Sequence, residues 1–297
     1  MKNRLPLSKK IKEALIHGGF LVNAVLVILV LLGIFVLLIW TSLPAFEQIS
    51  LKEFLFSSNW NPTSYVRESY GMLSMLVSSL LVTLGAMIFA VPISIGAAAF
   101  ISDLASNRVR EIAKPVVEIL ASIPSVVIGF IGITLIGPAI AKVFDLPDGL
   151  NAVNGSILIG IMAMPTIISL TEDALKSVPK SYTEASLALG ATKWQTIIRV
   201  RIPAASSGII AAAMLGMGRA IGETMTVLMA TGCAGAMPNS LFDSVKTMTS
   251  VIAIELGEVA YGTAHYYALF VVGLALFLIT FAVNLAAEII FNKKQKR

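Results

Sequence analysis

Six stretches of the chain are long, apolar and almost free of charge: residues 19–43, 72–101, 117–141, 152–171, 205–232 and 264–290. A helix rising about 1.5 Å per residue needs about 20 apolar residues to cross a hydrocarbon core. The pattern therefore predicts an all-α membrane protein with six transmembrane helices. Pro92, Pro124, Gly129 and Pro165 fall inside these runs, where proline and glycine are common in membrane helices and can kink them. Between the fourth and fifth runs the chain turns polar, over Thr171–Pro203. This insert carries a helix code of its own. Ser181-Tyr182-Thr183-Glu184 fits a capping box, Gly190 suits the left-handed residue that ends a helix, and Thr192-Lys193-Trp194-Gln195 fits a second capping box. The second helix is expected to be interrupted before Pro203. The predicted product is helix, glycine bend, helix: a compact knob on one face of the membrane.

Composition agrees with the pattern. The chain is 57% hydrophobic and 13% charged, with mean hydropathy +0.86, whereas soluble domains carry roughly 25% charged residues. The pI near 9.3 does not call for nucleic acid, because basic residues collect in the cytoplasmic loops of membrane proteins. With the N-terminus in the cytoplasm, 17 of the 22 Lys and Arg residues fall inside: Lys2, Arg4, Lys9, Lys10 and Lys12, then Arg108, Arg110 and Lys114, then Lys176, Lys180, Lys193, Arg199 and Arg201, then Lys293, Lys294, Lys296 and Arg297. Only Lys52, Arg67, Lys142 and Lys246 fall outside, and Arg219 stays within a span. The insert is thus expected to face the cytoplasm. The chain divides into a cytoplasmic tail (1–18), a first span with its external loop (19–71), a core holding spans two to six with the cytoplasmic loop 172–203 (72–290), and a second cytoplasmic tail (291–297). The uncharged stretch from Gly18 to Phe46 is far longer than the roughly 7–15 residues of a signal core and is expected to remain as an anchor. Trp60, Pro62, Tyr65 and Tyr70 suit an ordered interfacial loop, and the loop from Gly235 to Thr263 carries Asp243, Glu255 and Glu258. No segment outside the spans is long enough to bury a core of its own.

Arg219 and Glu223 are the only ionisable residues well inside a span. Arg219 lies about 24 Å along a helix from Pro203, near or past mid-membrane. A charge there costs at least about 2.5–3.5 kcal/mol, so it should face a partner or a wet pathway. Spacing i,i+4 puts both side chains on one helix face and lets them pair. Two roles stay open: an ion pair that glues helices, or a site where Arg219 attracts an anion in transit and Glu223 limits how tightly it is held. Gly216, Gly218 and Gly222 lie near the pair, and the Gly218/Gly222 spacing permits close approach of another helix, expected from another subunit. Glu172 and Asp173 read as solvated acids that help shape the surface of the knob. Trp194 reads as an interfacial anchor. The chain has no Gly-Lys dipeptide and so no P-loop. His17 and His265 fall on opposite sides and Cys233 is alone, so no metal site, no intrachain disulfide and no catalytic constellation are expected.

The insert resembles the EAA loop of ABC-importer permeases: Glu-Ala-Ala, three residues, Gly, nine residues, Ile-x-Leu-Pro. Glu184, Ala185, Gly190 and Pro203 match in identity and spacing, while Ser186, Val200 and Ile202 stand where the pattern has Ala, Ile and Leu. The resemblance implies a type I ABC-importer permease fold whose coupling helix seats in a groove of a separate ATPase subunit. Glu184, Ala185, Ser186, Gly190, Trp194 and Pro203 would form the docking surface, and ATP and Mg would be held by the ATPase. Trp60-Asn61-Pro62, Tyr70-Gly71, Ile123 to Phe130, Leu187 to Trp194 and Gly218 to Met225 look like the phosphate-importer permeases, PstC type rather than PstA type. That implies a PstA-type second permease subunit, two ATPase subunits, an external phosphate-binding protein, and a place in the bacterial inner membrane. The pathway residues would be Arg219, Glu223 and Thr224. Molybdate, tungstate or sulfate as cargo stays open on the residues alone. So does the different class of an ATP-independent transporter or channel, although neither needs a glycine-hinged knob.

The charge count makes one prediction. In a Cys233-free variant, a membrane-impermeant thiol reagent should label a cysteine placed at Ser57 or Asn239 in intact cells and should not label one at Asn107 or Lys180. Labelling at Lys180 from outside would overturn the orientation.

Overall fold

A computed structural model describes residues 7–64 and 68–295. Lys2, Arg4, Tyr65, Arg67, Lys296 and Arg297 lie outside the described residues, as do the side chains of Lys9, Lys10, Lys12, Lys293 and Lys294. Among the described residues the regular elements are helices, apart from one small hairpin. The helices are α1 (Leu7–Ser42), α2 (Leu73–Ala99), α3 (Asn107–Ser122), α4 (Ser125–Phe144), α5 (Ala152–Lys176), α6 (Lys180–Ala188), α7 (Lys193–Ala204), α8 (Ser206–Ile221), α9 (Met225–Ala230), α10 (Met248–Glu255) and α11 (Ala264–Gln295). Five segments, built on α1, α2, α4, α5 and α11, are each long and apolar enough to cross a membrane, and the bent pair α7–α8 is the sixth candidate.

α2 and α5 form the centre. In a membrane the lipid is as apolar as the side chains, so helices associate through close packing of small residues. Ala86, Ala90, Ser94 and Ala98 recur every four residues along α2, and all are fully buried. Opposite, Gly160 of α5 meets the ring of Phe89: a Cβ there would lie 2.1 Å from Cζ. Ser156 Oγ donates to the carbonyl of Val82 at 3.1 Å, so the contact is also hydrogen-bonded. From Phe20 to Trp40 α1 is apolar on nearly every face and largely exposed, as a lipid-facing helix is. It rests on α11, where Phe35 and Phe277 stack with centroids 5.5 Å apart.

Two predicted spans are broken. The run 117–141 begins inside α3 and resumes in α4, because Pro124 forces Ile123 and itself into extended backbone. α3 is amphipathic: Arg110 and Lys114 face the protein while Ile112, Val116 and Ile119 are exposed. The run 205–232 is not one helix either. α7 and α8 are bent by 72° at Ala205, α8 ends at Ile221, and Gly222–Thr224 separate it from α9.

At the end of the bundle where α5 starts, two short helical turns (Ala45–Gln48, Leu51–Phe56) and the hairpin β1 (Trp60–Asn61) and β2 (Ser69–Tyr70) close over α10 and α11. The strands are antiparallel, pairing Trp60 with Tyr70. Trp60 is buried in a cluster with Phe54, Tyr70, Met75, Val251 and Leu269 rather than lying at an interface. Its indole Nε1 donates to Glu255 Oε2 at 2.9 Å, His265 Nε2 lies 2.8 Å from the same oxygen, and Lys246 Nζ lies 2.5 Å from Oε1. Burial would raise the Glu255 pKa, but the hydrogen bonds from His265, Lys246 and Trp60 and the Lys246 charge outweigh it and hold the carboxyl at about 2.

A depressed carboxyl stabilises the fold above its unfolded value of 4.5 and loses that contribution as pH falls toward about 2. The contribution is on the order of 3 kcal/mol. With Trp40 and Trp194 replaced by Phe, the fluorescence of Trp60 in liposomes should shift between these two pH values, and Glu255→Gln, which removes the titrating carboxyl, should abolish that shift. An acid response identical in Glu255→Gln would refute the assignment.

Candidate functional site: the knob and the broken span

The insert folds as helix, glycine bend, helix. Pro179 (ψ 138°) leads into α6, and no side chain caps it. The capping box expected at Ser181–Glu184 is absent, because the helix starts at Lys180 and leaves Ser181 inside its first turn. The other end is as predicted: Gly190 has φ +81°. The Gly190 N–H donates to Leu187 O at 3.0 Å and the Ala191 N–H to Ser186 O at 3.2 Å, a complete Schellman motif. The second capping box forms in both halves, with Gln195 N donating to Thr192 Oγ1 (3.2 Å) and Thr192 N donating to Gln195 Oε1 (2.9 Å). Ser186 Oγ lies 2.9 Å from Thr196 Oγ1, so the serine standing where the EAA pattern has alanine ties the two legs of the knob together.

α7 is not interrupted before Pro203. A π turn over Ile197–Arg201 widens the helix, and Pro203 sits at the start of the next turn, where its missing N–H is tolerated. The break falls two residues later, at Ala205.

Leu189 is 90% exposed, Trp194 61% and Tyr182 52%. Glu184, Ala185 and Pro203 are exposed as well, and Ser186 is half-buried. The polar, helix-coded insert thus carries an exposed apolar tip. Of the two acids expected in solvent beside it, only Asp173 is exposed. The Glu172 side chain is 6% exposed and lies between Lys114 (3.2 Å) and Lys176 (2.5 Å). Lys114 comes from α3, a contact that no local pattern announces.

In the broken span Arg219 occupies the last turn of α8 and is exposed. Its Nη1 donates to Thr166 Oγ1 of α5 at 3.0 Å. Glu223 lies in the break: its carboxylate accepts weakly from Thr226 N (3.5 Å) and its carbonyl accepts from Thr249 Oγ1 (2.9 Å). Thr224, half-exposed, donates to Gly222 O at 3.3 Å. Among the described residues, no Arg219–Glu223 ion pair forms. The i,i+4 argument fails because the helix ends at Ile221, so the two side chains share no helical face. Both residues border a crevice of about 10 Å³ with Ile159 and Met162, room for about one water. The glycine spacing is broken for the same reason. Gly218 instead approaches α11 of this chain, where a Cβ would lie 3.0 Å from Asn284 Oδ1. Thr166 and Thr249 were not predicted, since nothing in their local sequence sets them apart from other span threonines.

Residues 90–296 match the family of binding-protein-dependent transport system inner membrane components. The chain is 39% identical over 247 residues (83% of this chain, 80% of the relative) to the protein named "Probable ABC transporter permease protein YqgH" of Bacillus subtilis (strain 168). It is 32% identical over 293 residues (92% and 90%) to the phosphate transport system permease protein PstC of Pasteurella multocida (strain Pm70). In fold it is similar to a chain of the MetNI methionine ABC transporter in an inward-facing conformation (TM-score 0.59, 18% identity, 75% and 95% covered). It is also similar to a chain of a bacterial ABC transporter involved in import of the polysaccharide alginate (TM-score 0.63, 14% identity, 97% and 99% covered).

The knob makes a local prediction. Space around Gly190 is open, so the effect of substitution there is conformational. Gly190→Val should destabilise the bend by about 1–2 kcal/mol, and Gly190→Asn, which tolerates a left-handed backbone, by less. Hydrogen exchange at the Gly190 and Ala191 amides should quicken by roughly 5- to 30-fold in the valine variant. Unchanged exchange would mean the Schellman motif does not hold the bend.

Proposed function

This chain belongs to the family of binding-protein-dependent transport system inner membrane components and is an ABC importer permease subunit, and from that premise we propose that its cargo is inorganic phosphate. The observation that carries the reading is Arg219, a mid-span guanidinium held by a neutral hydroxyl at 3.0 Å and not by a carboxylate. Its positive charge stays available to an anion, and its planar fork matches a phosphate oxygen pair. Relatives named PstC support the same cargo. Glu223 favours phosphate over the alternatives. A phosphate ion near neutral pH carries a proton that a carboxylate can accept in a hydrogen bond. Sulfate, molybdate and tungstate carry none and would meet Glu223 as charge against charge.

In this reading Arg219, Glu223 and Thr224 face the pathway, completed by a PstA-type second permease chain across the exposed face of Arg219. The knob seats in an ATPase subunit through Tyr182, Leu189 and Trp194, with Glu184, Ala185, Ser186, Gly190 and Pro203 shaping that surface. The ATPases hold ATP and Mg and hydrolyse the nucleotide, and an external phosphate-binding protein delivers the anion. The machine lies in the bacterial inner membrane with both termini of this chain in the cytoplasm. Against the rival role, an Arg219–Glu223 ion pair gluing helices, stands the bond of the Arg219 guanidinium to Thr166 in place of Glu223.

Arg219→Gln should lower phosphate uptake roughly 10- to 150-fold, the value of a charge-assisted hydrogen bond, while the complex assembles and hydrolyses ATP. Arg219→Lys should retain uptake only if a point charge suffices, and Glu223→Gln should be milder. Uptake of radiolabelled phosphate in proteoliposomes measures each, with unlabelled molybdate, tungstate and sulfate as competitors. Recovery of uptake in a doubly neutralised variant would refute the pathway role. Displacement of phosphate by another oxyanion would refute the cargo, and uptake without ATPase subunits would refute the ATP-driven class.

A further inference from the structure

Two π turns meet where the knob joins the membrane helices. One, Phe100–Leu104, continues α2; the other, Ile197–Arg201, lies within α7. Arg201 Nη1 pairs with the Asp103 carboxylate, and the two side chains are 15% and 8% exposed. Arg201 Nη2 donates to the carbonyl of Leu175, in the last turn of α5, at 2.6 Å. From the other side Arg110 of α3 donates Nε to Ile101 O (2.9 Å) and Nη2 to Ser102 O (2.8 Å). The three residues 101–103 are thus gripped by two arginines, one of which stands on the second leg of the knob.

A π turn shifts the hydrogen-bond register by one residue and leaves carbonyls free for such donors. The grip is also incomplete. Asp103 Oδ2 and Arg201 Nε are buried and without a hydrogen-bond partner. A buried charge pair contributes little net stability over apolar residues of the same shape, so its presence at this junction calls for a role in holding geometry.

We infer that Arg201 is a positioning residue that makes the knob, the end of α2 and the end of α5 move as one body, through the Asp103 carboxylate and the Leu175 carbonyl. A push on the knob would then reach α5, which carries Thr166, and through it Arg219. The inference rests on the reading above, in which a separate ATPase drives the knob.

Two measurements test it, one independent of the cargo. In a Cys233→Ser background, spin labels at Lys180 and Leu104 of the assembled complex should keep one distance with and without a non-hydrolysable ATP analogue. In Asp103→Asn or Arg201→Gln that distance should broaden or change with nucleotide. A wild-type distance that changes with nucleotide, or variants that stay as narrow as wild type, would overturn the inference. In proteoliposomes the same variants should raise ATP hydrolysed per phosphate imported by roughly 2- to 30-fold. The exchange Asp103→Arg with Arg201→Asp should bring the ratio back toward wild type. Arg201→Lys decides the matter if Arg201→Gln fails to assemble: it keeps the charge but not both bonds, so a wild-type ratio in it would reduce the pair to a brace. Absence of phosphate import by the wild-type complex would refute the cargo reading and leave the distance test standing.

Discussion

The close packing of α2 on α5 is the constraint on which the remaining geometry depends. Lipid offers no hydrophobic gain for bringing two apolar helices together, so contact must come from shape, and the small-residue row Ala86, Ala90, Ser94, Ala98 supplies it. Once α5 is held against α2, its whole length becomes a fixed reference. Thr166 in its middle sets the position of Arg219, Glu172 near its end receives Lys114 of α3, and the carbonyl of Leu175 receives Arg201 of α7. A side chain larger than Ala on that row would displace both the knob and the broken span.

The two ends of the bundle solve the same problem differently. Where α5 begins, one carboxylate, Glu255, collects an indole, an imidazole and an ammonium group, and the low pKa is the electrostatic signature of that enclosure. Where α5 ends, arginines reach backbone carbonyls and a single aspartate. The first arrangement leaves each Glu255 oxygen with a partner within 3 Å; the second leaves a carboxylate oxygen and a guanidinium nitrogen spare. Both sets of charges hold geometry, the first by enclosing one carboxylate and the second by tying three helix ends together. That difference matches a closed cap at one end and a transmitting joint at the other.

The local code of the insert was readable residue by residue. Gly190, with its left-handed backbone, and the Thr192/Gln195 box depend on atoms within three or four positions, and both formed as their chemistry dictates. The Ser181/Glu184 box obeyed the same rule on paper and did not form. Pro179 supplies a pre-set extended entry, which starts α6 two residues early and removes the free N–H groups that Ser181 would have capped. Pro203 deceived in the other direction, because a π turn absorbs a proline that an α-helical register would reject.

By itself the sequence determined the class of molecule, the number of apolar runs, the position and bend of the knob, and the presence of a costly arginine in the fifth run. Each follows from composition or from spacing within one or two helical turns, where the chain's own covalent geometry decides. What faces that arginine was decided only in three dimensions. Glu223, four residues on, had no pairing once the helix ended at Ile221, and Thr166, 53 residues away in the chain, took its place. The burial of Glu172 and the grip of Arg201 on Asp103 belong to the same class. Each needs a helix end brought alongside by α2–α5 packing, and no periodicity within either segment records where the other will lie.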